Sequence, residues 1–91
     1  MATTALILHR VDDYDAWRTT YDSVNELRER GGVIDAQVLR PSNGDNVVAV
    51  THDFESPEAA RAFLANEELK GAMQRGGVDL DSFEVHLLER D

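Results

Sequence analysis

The alternation of hydrophobic and polar positions predicts four β-strands. Side chains along a strand point to opposite faces in turn, so apolar runs with a two-residue period indicate strands, especially where they contain β-branched residues. Such runs occupy residues 3–11, 33–40, 46–54 and 82–89. The turn-forming residues 41–45 separate the second and third runs, and predict that these two strands form a hairpin.

Apolar residues at three- and four-residue steps predict a first amphipathic helix after the first strand. Asp12 or Asp13 can cap its beginning, and Gly31 and Gly32 end it, since glycine adopts a left-handed turn at little cost. The stripe is expected to pack against the sheet. It consists of Tyr14, Trp17, Tyr21, Val24 and Leu27.

A second helix is predicted after the third strand. Ser56 supplies a capping hydroxyl and Pro57 stands in the first turn, which is a favoured position for proline. Asn66 resembles a second helix start, so we expect the helix to break there, resume through Met73 and close at residues 76–77.

The resulting order β-α-β-β-α-β predicts an α+β fold of the ferredoxin-like type, with both helices on one face of an antiparallel sheet. Right-handed crossovers require the strand order four, one, three, two. The length of 91 residues predicts one domain, residues 1–91. A chain of this size buries only about 60 to 68% of its unfolded surface, so the uncovered sheet face is expected to require a partner, in a homodimer.

Composition excludes several classes of function. Acidic residues outnumber basic ones by 18 to 9, giving a formal charge of −9, which disfavours nucleic acids and anionic membranes as partners. Residues 1–8 contain neither a basic leader nor a long apolar run, so a cytoplasmic location is predicted. The chain has no cysteine, which excludes thiol chemistry.

Three histidines, one on each of three predicted strands, are the candidates for catalysis. The alternation predicts that His9, His52 and His86 share the sheet face away from the helices and line a cavity. Histidine exchanges protons near neutral pH. His9 and His86 can therefore act as base and donor, with His52 and Asp35 supporting them. Aligned strand centres would place His86 across from Ile7. The substrate-binding candidates are Tyr14, Ile7, Val50, Phe54 and Gln37.

Two other interpretations of the histidines stay open. Each imidazole can simply form a hydrogen bond at a polar dimer interface. Alternatively, His9 and His86 can converge with Glu84 or Asp35 on a transition metal, although no pair follows a close local spacing. No bound cofactor is expected, since the glycine pairs end helices and do not form a phosphate-binding loop after a strand.

Most of the chain resembles the antibiotic-biosynthesis-monooxygenase-like family. The resemblance lies in residues 9–17 (HRVDDYDAW), in residues 53–60 (DFESPEAA), and then in Phe63, Leu69, Met73 and residues 77–78. It implies a dimeric α+β barrel, in which two protomers pack sheet to sheet. It also implies a small-molecule cavity, either between sheet and helices or in the barrel interior.

The activities of this family imply several possible functions: cofactor-independent oxygenation of phenols, cyclisation of aromatic polyketides, haem degradation and isomerisation. The oxygenases and haem-degrading members pair an asparagine early in the first strand with a cavity tryptophan. Here Thr4, Ala5 and Leu6 occupy that part of the strand, and Trp17 lies on the first helix. The cyclases of the superfamily use histidine with tyrosine or aspartate.

The predicted function is therefore a cofactor-free cyclase or isomerase that acts on a small apolar molecule, aromatic or polyketide-like, by histidine acid–base catalysis. The first alternative is a non-catalytic domain that binds a small ligand or serves as an accessory protein. A cofactor-independent monooxygenase is the third possibility.

Overall fold

A computed structural model describes residues 2–90 of the chain. These residues form, in order, β1 (Thr3–Val11), α1 (Tyr14–Ser23), α2 (Asn25–Arg30), β2 (Asp35–Leu39), β3 (Val47–Phe54), α3 (Pro57–Leu64), α4 (Glu67–Arg75) and β4 (Val78–Glu89). The strands pair antiparallel in the order β2-β3-β1-β4. The predicted α+β ferredoxin-like fold and strand order are confirmed, and each predicted helix is divided into two segments.

The predicted helix starts are confirmed by their capping hydrogen bonds. Asp13 Oδ1 accepts the backbone N–H of Asp15 at 3.1 Å. Ser56 Oγ accepts the backbone N–H of Ala59 at 3.2 Å, and Pro57 follows in the first turn of α3. Each side chain supplies an acceptor to an N–H that has no partner within the helix.

Both helical layers contain a break, and only the second was predicted. Asn66 caps α4 by accepting the N–H of Glu68 at 2.8 Å, which confirms the expected interruption. The first layer breaks at Val24, where φ is −109° and ψ is 29°. The apolar stripe passes through this position without interruption, so the sequence pattern did not reveal the break.

The last strand is longer than predicted, and its pairing with β1 is irregular. β4 begins at Val78, and the register shifts between Leu8 and Arg10 of β1. Polar residues in the bulged part of β4 had hidden the strand pattern. His86 pairs with Leu6, and not with Ile7 as aligned strand centres had predicted.

The two faces of the sheet have different surroundings. The helix-covered face of β1 and β3 is buried and packs in two apolar clusters, one around Trp17 and one around Phe63. The opposite face, here called the open face, is not covered by any helix of residues 2–90, and Leu39 and Leu88 are each 49% exposed. By register, the open face carries Thr4, Leu6, Leu8, Asp35, Gln37, Leu39, Ala49, Thr51, Asp53, Glu84, His86 and Leu88.

None of the helices within residues 2–90 combines the length and the apolar character that a membrane span requires. The cytoplasmic location stays a prediction.

Candidate functional site

The histidines lie on both faces of the sheet. His9 and His52 are 5% and 3% exposed beneath the helices, whereas His86 is exposed on the open face beside Leu6. The prediction that all three line the face away from the helices is therefore wrong. Both faces of β1 are apolar, so alternation shows which residues share a face but not which face the helices cover. His86 pairs with Leu6, one residue away from the position that aligned strand centres predict, and therefore lies on the other face.

The other candidate residues also separate. Ile7 and Val50 pair across β1 and β3 and line the space beneath the helices. Phe54 is fully buried among core residues, and Tyr14 packs on Trp17 at the beginning of α1. Neither of these two side chains lines that space.

Asp35 and Gln37 lie on the open face, so the supporting role predicted for Asp35 beside His9 is not possible within one protomer. Both residues line a shallow depression of about 220 Å³ together with Asp53 and Arg90. Arg90 Nη1 donates to Asp53 Oδ2 at 2.7 Å there. The sheet backbone separates this depression from the buried histidines.

The space beneath the helices is an apolar hollow with two adjoining lobes of about 50 and 40 Å³, here called the internal cavity. The first lobe contains His9, Ile7 and Val50, and the second extends to Arg28 on α2. The two lobes share Trp17, Tyr21, His52, Phe63, Leu69 and Met73.

A tyrosine and a histidine form a direct pair in the wall of the internal cavity. Tyr21 Oη lies 2.9 Å from His52 Nε2, within hydrogen-bonding distance. Trp17 stacks on Tyr21 with ring centroids 4.9 Å apart, and the Arg28 guanidinium lies 3.8 Å from the centroid of the Tyr21 ring. The contacts of its ring with Trp17 and Arg28 therefore hold the Tyr21 hydroxyl against the imidazole.

Burial changes the acid–base properties of this pair. It lowers the pKa of His52 from 6.5 to about 4, with a further decrease from the charge of Arg28 and an opposing effect of Asp53. Burial also raises the pKa of Tyr21, against the opposing charges of Arg28 and Arg18. At neutral pH His52 is therefore uncharged and holds a lone pair that can accept a proton.

Two buried ring nitrogens have no hydrogen-bond partner: Nδ1 of His9 and Nδ1 of His52. Buried polar atoms normally form hydrogen bonds, so these nitrogens are available to polar groups of a bound molecule. His52 pairs with Ala5 of β1, and Ala5 is four residues from His9 on the same strand. The two histidines are therefore about 13 Å apart along the strand direction. The histidines therefore stand at opposite ends of the cavity floor.

His9 is packed between aromatic rings. Its ring centroid lies 5.8 Å from that of Trp17 and 6.0 Å from that of Phe83, with which it stacks. Burial of the imidazole lowers the pKa of His9. Since His9 and His86 occupy opposite faces, they cannot converge on a metal within one protomer. In residues 2–90, no three His, Cys, Asp or Glu side chains are placed to bind a metal ion.

We expect the free energy of unfolding to decrease as the pH falls from about 6.5 to about 4. Within this window the unfolded chain protonates His52 while the folded chain does not, so the unfolded state binds more protons. The difference between a pKa of 6.5 and one of about 4 corresponds to a loss on the order of 3 kcal/mol. Below about pH 4 this contribution levels off.

Urea denaturation at a series of pH values measures this dependence. The His52→Gln variant should show a flatter profile between pH 6.5 and 4. The matched control is His86→Gln, because His86 is exposed on the open face. Identical profiles for the native protein and His52→Gln would contradict the predicted linkage.

Comparison with protein families defines the class to which this fold belongs. The antibiotic biosynthesis monooxygenase family model matches residues 5–75, and the chain belongs to this family. The family resemblance stated from the sequence is thus confirmed. No curated protein sequence matches the chain.

Solved structures of low sequence identity show the same fold. SnoaB, a cofactor-independent oxygenase from Streptomyces nogalater, is 15% identical with a TM-score of 0.81, covering 99% of this chain and 93% of that one. A candidate antibiotic biosynthesis monooxygenase from Bordetella bronchiseptica is 10% identical with a TM-score of 0.81, covering 99% and 97%. A dimeric ferredoxin-like protein of unknown function from Jannaschia sp. is 12% identical with a TM-score of 0.74, covering 99% and 100%.

The sequence pattern did not reveal that the first helical layer contributes side chains to the internal cavity. Trp17 and Tyr21 were expected only to pack on the sheet, although their four-residue spacing already placed them on one helix face. Arg28 follows the apolar stripe directly, and its position gave no indication that its side chain would be buried.

Proposed function

We propose that this protein is a cofactor-free enzyme that binds a small aromatic or polyketide-like molecule in the internal cavity and removes a proton from it. The observation that carries the proposal is the buried Tyr21–His52 pair, with its 2.9 Å contact and its uncharged imidazole. The proton would come from a phenol, or from a carbon next to a carbonyl. Cyclisation or isomerisation would follow from the resulting enolate.

In one tautomer of His52, the Tyr21–His52 pair can both accept the substrate proton and donate a hydrogen bond to the developing negative charge. If Nε2 carries the hydrogen, it donates to Tyr21 Oη, and the unpartnered Nδ1 is free to accept the substrate proton. The Tyr21 hydroxyl hydrogen can then be donated to the oxygen on which negative charge develops. In an isomerisation, His52 would return the proton to a different carbon of the substrate.

The internal cavity must expand to accept such a substrate. Lobes of about 50 and 40 Å³ are far smaller than the roughly 300–1,000 Å³ of typical ligand pockets. Leu69 and Met73 line both lobes from the short helix α4, which is separated from α3 by the break at Asn66. Met73 is unbranched and flexible, so displacement of these two side chains is the simplest way to enlarge the space.

A cofactor-independent oxygenase is the second candidate. Trp17 lines the internal cavity, as a cavity tryptophan does in the oxygenases that the family resemblance implies. SnoaB, which shares the fold, is described as an oxygenase of this kind. The asparagine expected early in the first strand is replaced by Thr4, Ala5 and Leu6. The same deprotonation of a phenol by His52 would precede its reaction with oxygen.

Two substrates distinguish these functions. Incubation with 2-tetralone in D₂O, followed by NMR, measures proton exchange next to a carbonyl, and incubation with anthrone in an oxygen electrode measures oxygenation. Exchange above the buffer rate without oxygen uptake supports the cyclase or isomerase class, and oxygen uptake supports the oxygenase. Binding of both compounds without either reaction would indicate a non-catalytic ligand-binding domain and overturn the proposal.

We also propose that two copies of the chain pack through their open faces. The face presents four leucines: Leu6, Leu8, Leu39 and Leu88. A neighbour with the same fold is described as dimeric. Burial of apolar area stabilises such an interface by roughly 25 cal/mol per Å².

The Leu88→Glu variant should therefore be monomeric at concentrations where the native protein is dimeric, with the dissociation constant raised at least tenfold. A carboxylate in an apolar interface loses its hydration without gaining a partner. Sedimentation equilibrium measures the change. Ile34→Glu is the matched control: Ile34 is 62% exposed, but alternation along β2 places it on the opposite face. A monomeric native protein would contradict the dimer.

A further inference from the structure

Arg28 is a buried cation without an acidic partner. It is 8% exposed, and no carboxylate of residues 2–90 lies within 4.0 Å of its guanidinium. Arginine is rarely buried unless it is paired, because an isolated charge loses its hydration. The basic residues that do form ion pairs are Arg18, Arg30, Lys70 and Arg90, all of which are far more exposed.

Neutral groups hold the Arg28 guanidinium in place. Nη1 donates to the carbonyl oxygen of Tyr21 at 2.6 Å, and Nη2 donates to Asn25 Oδ1 at 3.4 Å. The carbonyl of Tyr21 is near the end of α1, where the chain breaks. These contacts position the guanidinium against the Tyr21 ring, but they do not compensate its charge, and they use two of its five N–H groups.

Arg28 and Tyr21 stand between two spaces. Both line the internal cavity, and both line an open groove of about 590 Å³ between the first helical layer and β2. Gln37 and Val38 contribute to the groove from β2, and Arg18 lines it while paired with Asp22. A molecule that reaches the cavity from this side therefore meets a fixed, uncompensated positive charge beside the proposed acid–base pair.

We propose that Arg28 binds a carboxylate of the substrate, which makes an aromatic carboxylic acid the class of molecule that the site accepts. The inference rests on the proposed function, in that it takes the internal cavity as the substrate site. The carboxylate accepts hydrogen bonds from the free N–H groups of the guanidinium, for which arginine is geometrically suited. The aromatic body extends past Tyr21 toward His52, whose ring centroid lies 6.1 Å from that of Tyr21.

Because the chain is negatively charged, its preference for an acidic substrate must come from a positive charge within the site. With a formal charge of −9, the protein as a whole repels anions, so preference for an acid requires an uncompensated cation at the site. The charge of Arg28 also helps to lower the pKa of His52. A bound carboxylate would offset that effect, so an acidic substrate would make His52 a stronger base.

Isothermal titration calorimetry with 2-naphthoate and its neutral counterpart 2-naphthamide tests the inference. The native protein should bind the acid at least tenfold more tightly than the amide. In Arg28→Gln this preference should fall to within about threefold. Arg18→Gln is the matched control, because Arg18 lines the same groove but is already paired, and it should keep the tenfold preference. Equal affinities in the native protein, no binding of either compound, or an unchanged preference in Arg28→Gln would each overturn the inference.

Three further measurements keep the test decisive. If Arg28→Gln does not fold, Arg28→Lys keeps the charge without the planar fork and should lose at least threefold of the preference. In the native protein, 2-naphthoate should shift the NMR signal of one arginine Nε–H group, and 2-naphthamide should not. In His52→Gln the preference for the acid should persist. In the native protein, absence of proton exchange with an intact acid preference would sink the proposed function alone, and exchange of 2-tetralone without an acid preference would sink this inference alone.

Discussion

The His52→Gln variant is expected to lose at least a hundredfold in kcat/KM for a substrate that the native protein deprotonates. Positioned acid–base groups typically contribute 10²–10⁴-fold to the rate. Glutamine can keep a hydrogen bond with the Tyr21 hydroxyl, but its amide cannot accept a proton near neutral pH. The loss should fall mainly on kcat, since the transferred proton matters most in the transition state.

His86→Gln is the matched control for this experiment, because it makes the same replacement on the open face, away from the internal cavity. It should retain native kcat/KM. Tyr21→Phe should lie between the two variants, as it removes the hydroxyl donor but keeps the aromatic packing on Trp17. If His52→Gln retains native turnover, the proposal that His52 accepts the substrate proton is wrong, whatever the other variants show.

Replacement of Phe54 by alanine is expected to lower the free energy of unfolding by about 3–5 kcal/mol. Phe54 is completely buried, and its ring contacts those of His52 and Phe63 with centroids 6.4 and 5.7 Å apart. Truncation removes apolar burial and leaves a cavity that rigid strands cannot fill. A domain of 91 residues has a total stability of roughly 5–14 kcal/mol, so the change removes a large share of it.

Urea denaturation followed by circular dichroism measures this loss. Ile34→Ala is the comparison variant, because Ile34 is 62% exposed and should change the stability by no more than about 0.5 kcal/mol. A Phe54→Ala variant as stable as Ile34→Ala would contradict the position of Phe54 in the core. The same experiment bears on the substrate-binding role predicted for Phe54 from the sequence. A large loss of stability indicates that Phe54 acts mainly as a core residue.

Local patterns predicted the four strands, the two helical layers and their arrangement. The caps at Asp13, Ser56 and Asn66 lie next to the segments they begin, and a two-residue or three- to four-residue period identifies each element over a few turns or pleats. Given that order of elements, right-handed crossovers leave β1 and β3 in the centre of the sheet, as the structure confirms. Composition likewise excluded cysteine chemistry without any structure.

The placement of the histidines depended on long-range packing. Alternation correctly puts His9 with Ile7, and β1–β3 pairing adds His52 to that face. Leu6 and Leu8 make the other face of β1 equally apolar, so the strand by itself does not indicate where the helices lie. His86 lies on the open face because it pairs with Leu6 and not with Ile7, and the sequence does not fix the pairing of two strands to within one residue.

The sequence by itself therefore determined the order of strands and helices, the family and the available chemical groups, because these depend on neighbours within a few residues. Only the tertiary structure decided which groups meet. Tyr21 and His52 are 31 residues apart, and Arg28 is buried on α2, which begins after a break at Val24 that no pattern marked. Helix packing on the sheet brings these side chains together and removes water from them, and the loss of water changes their acid–base properties.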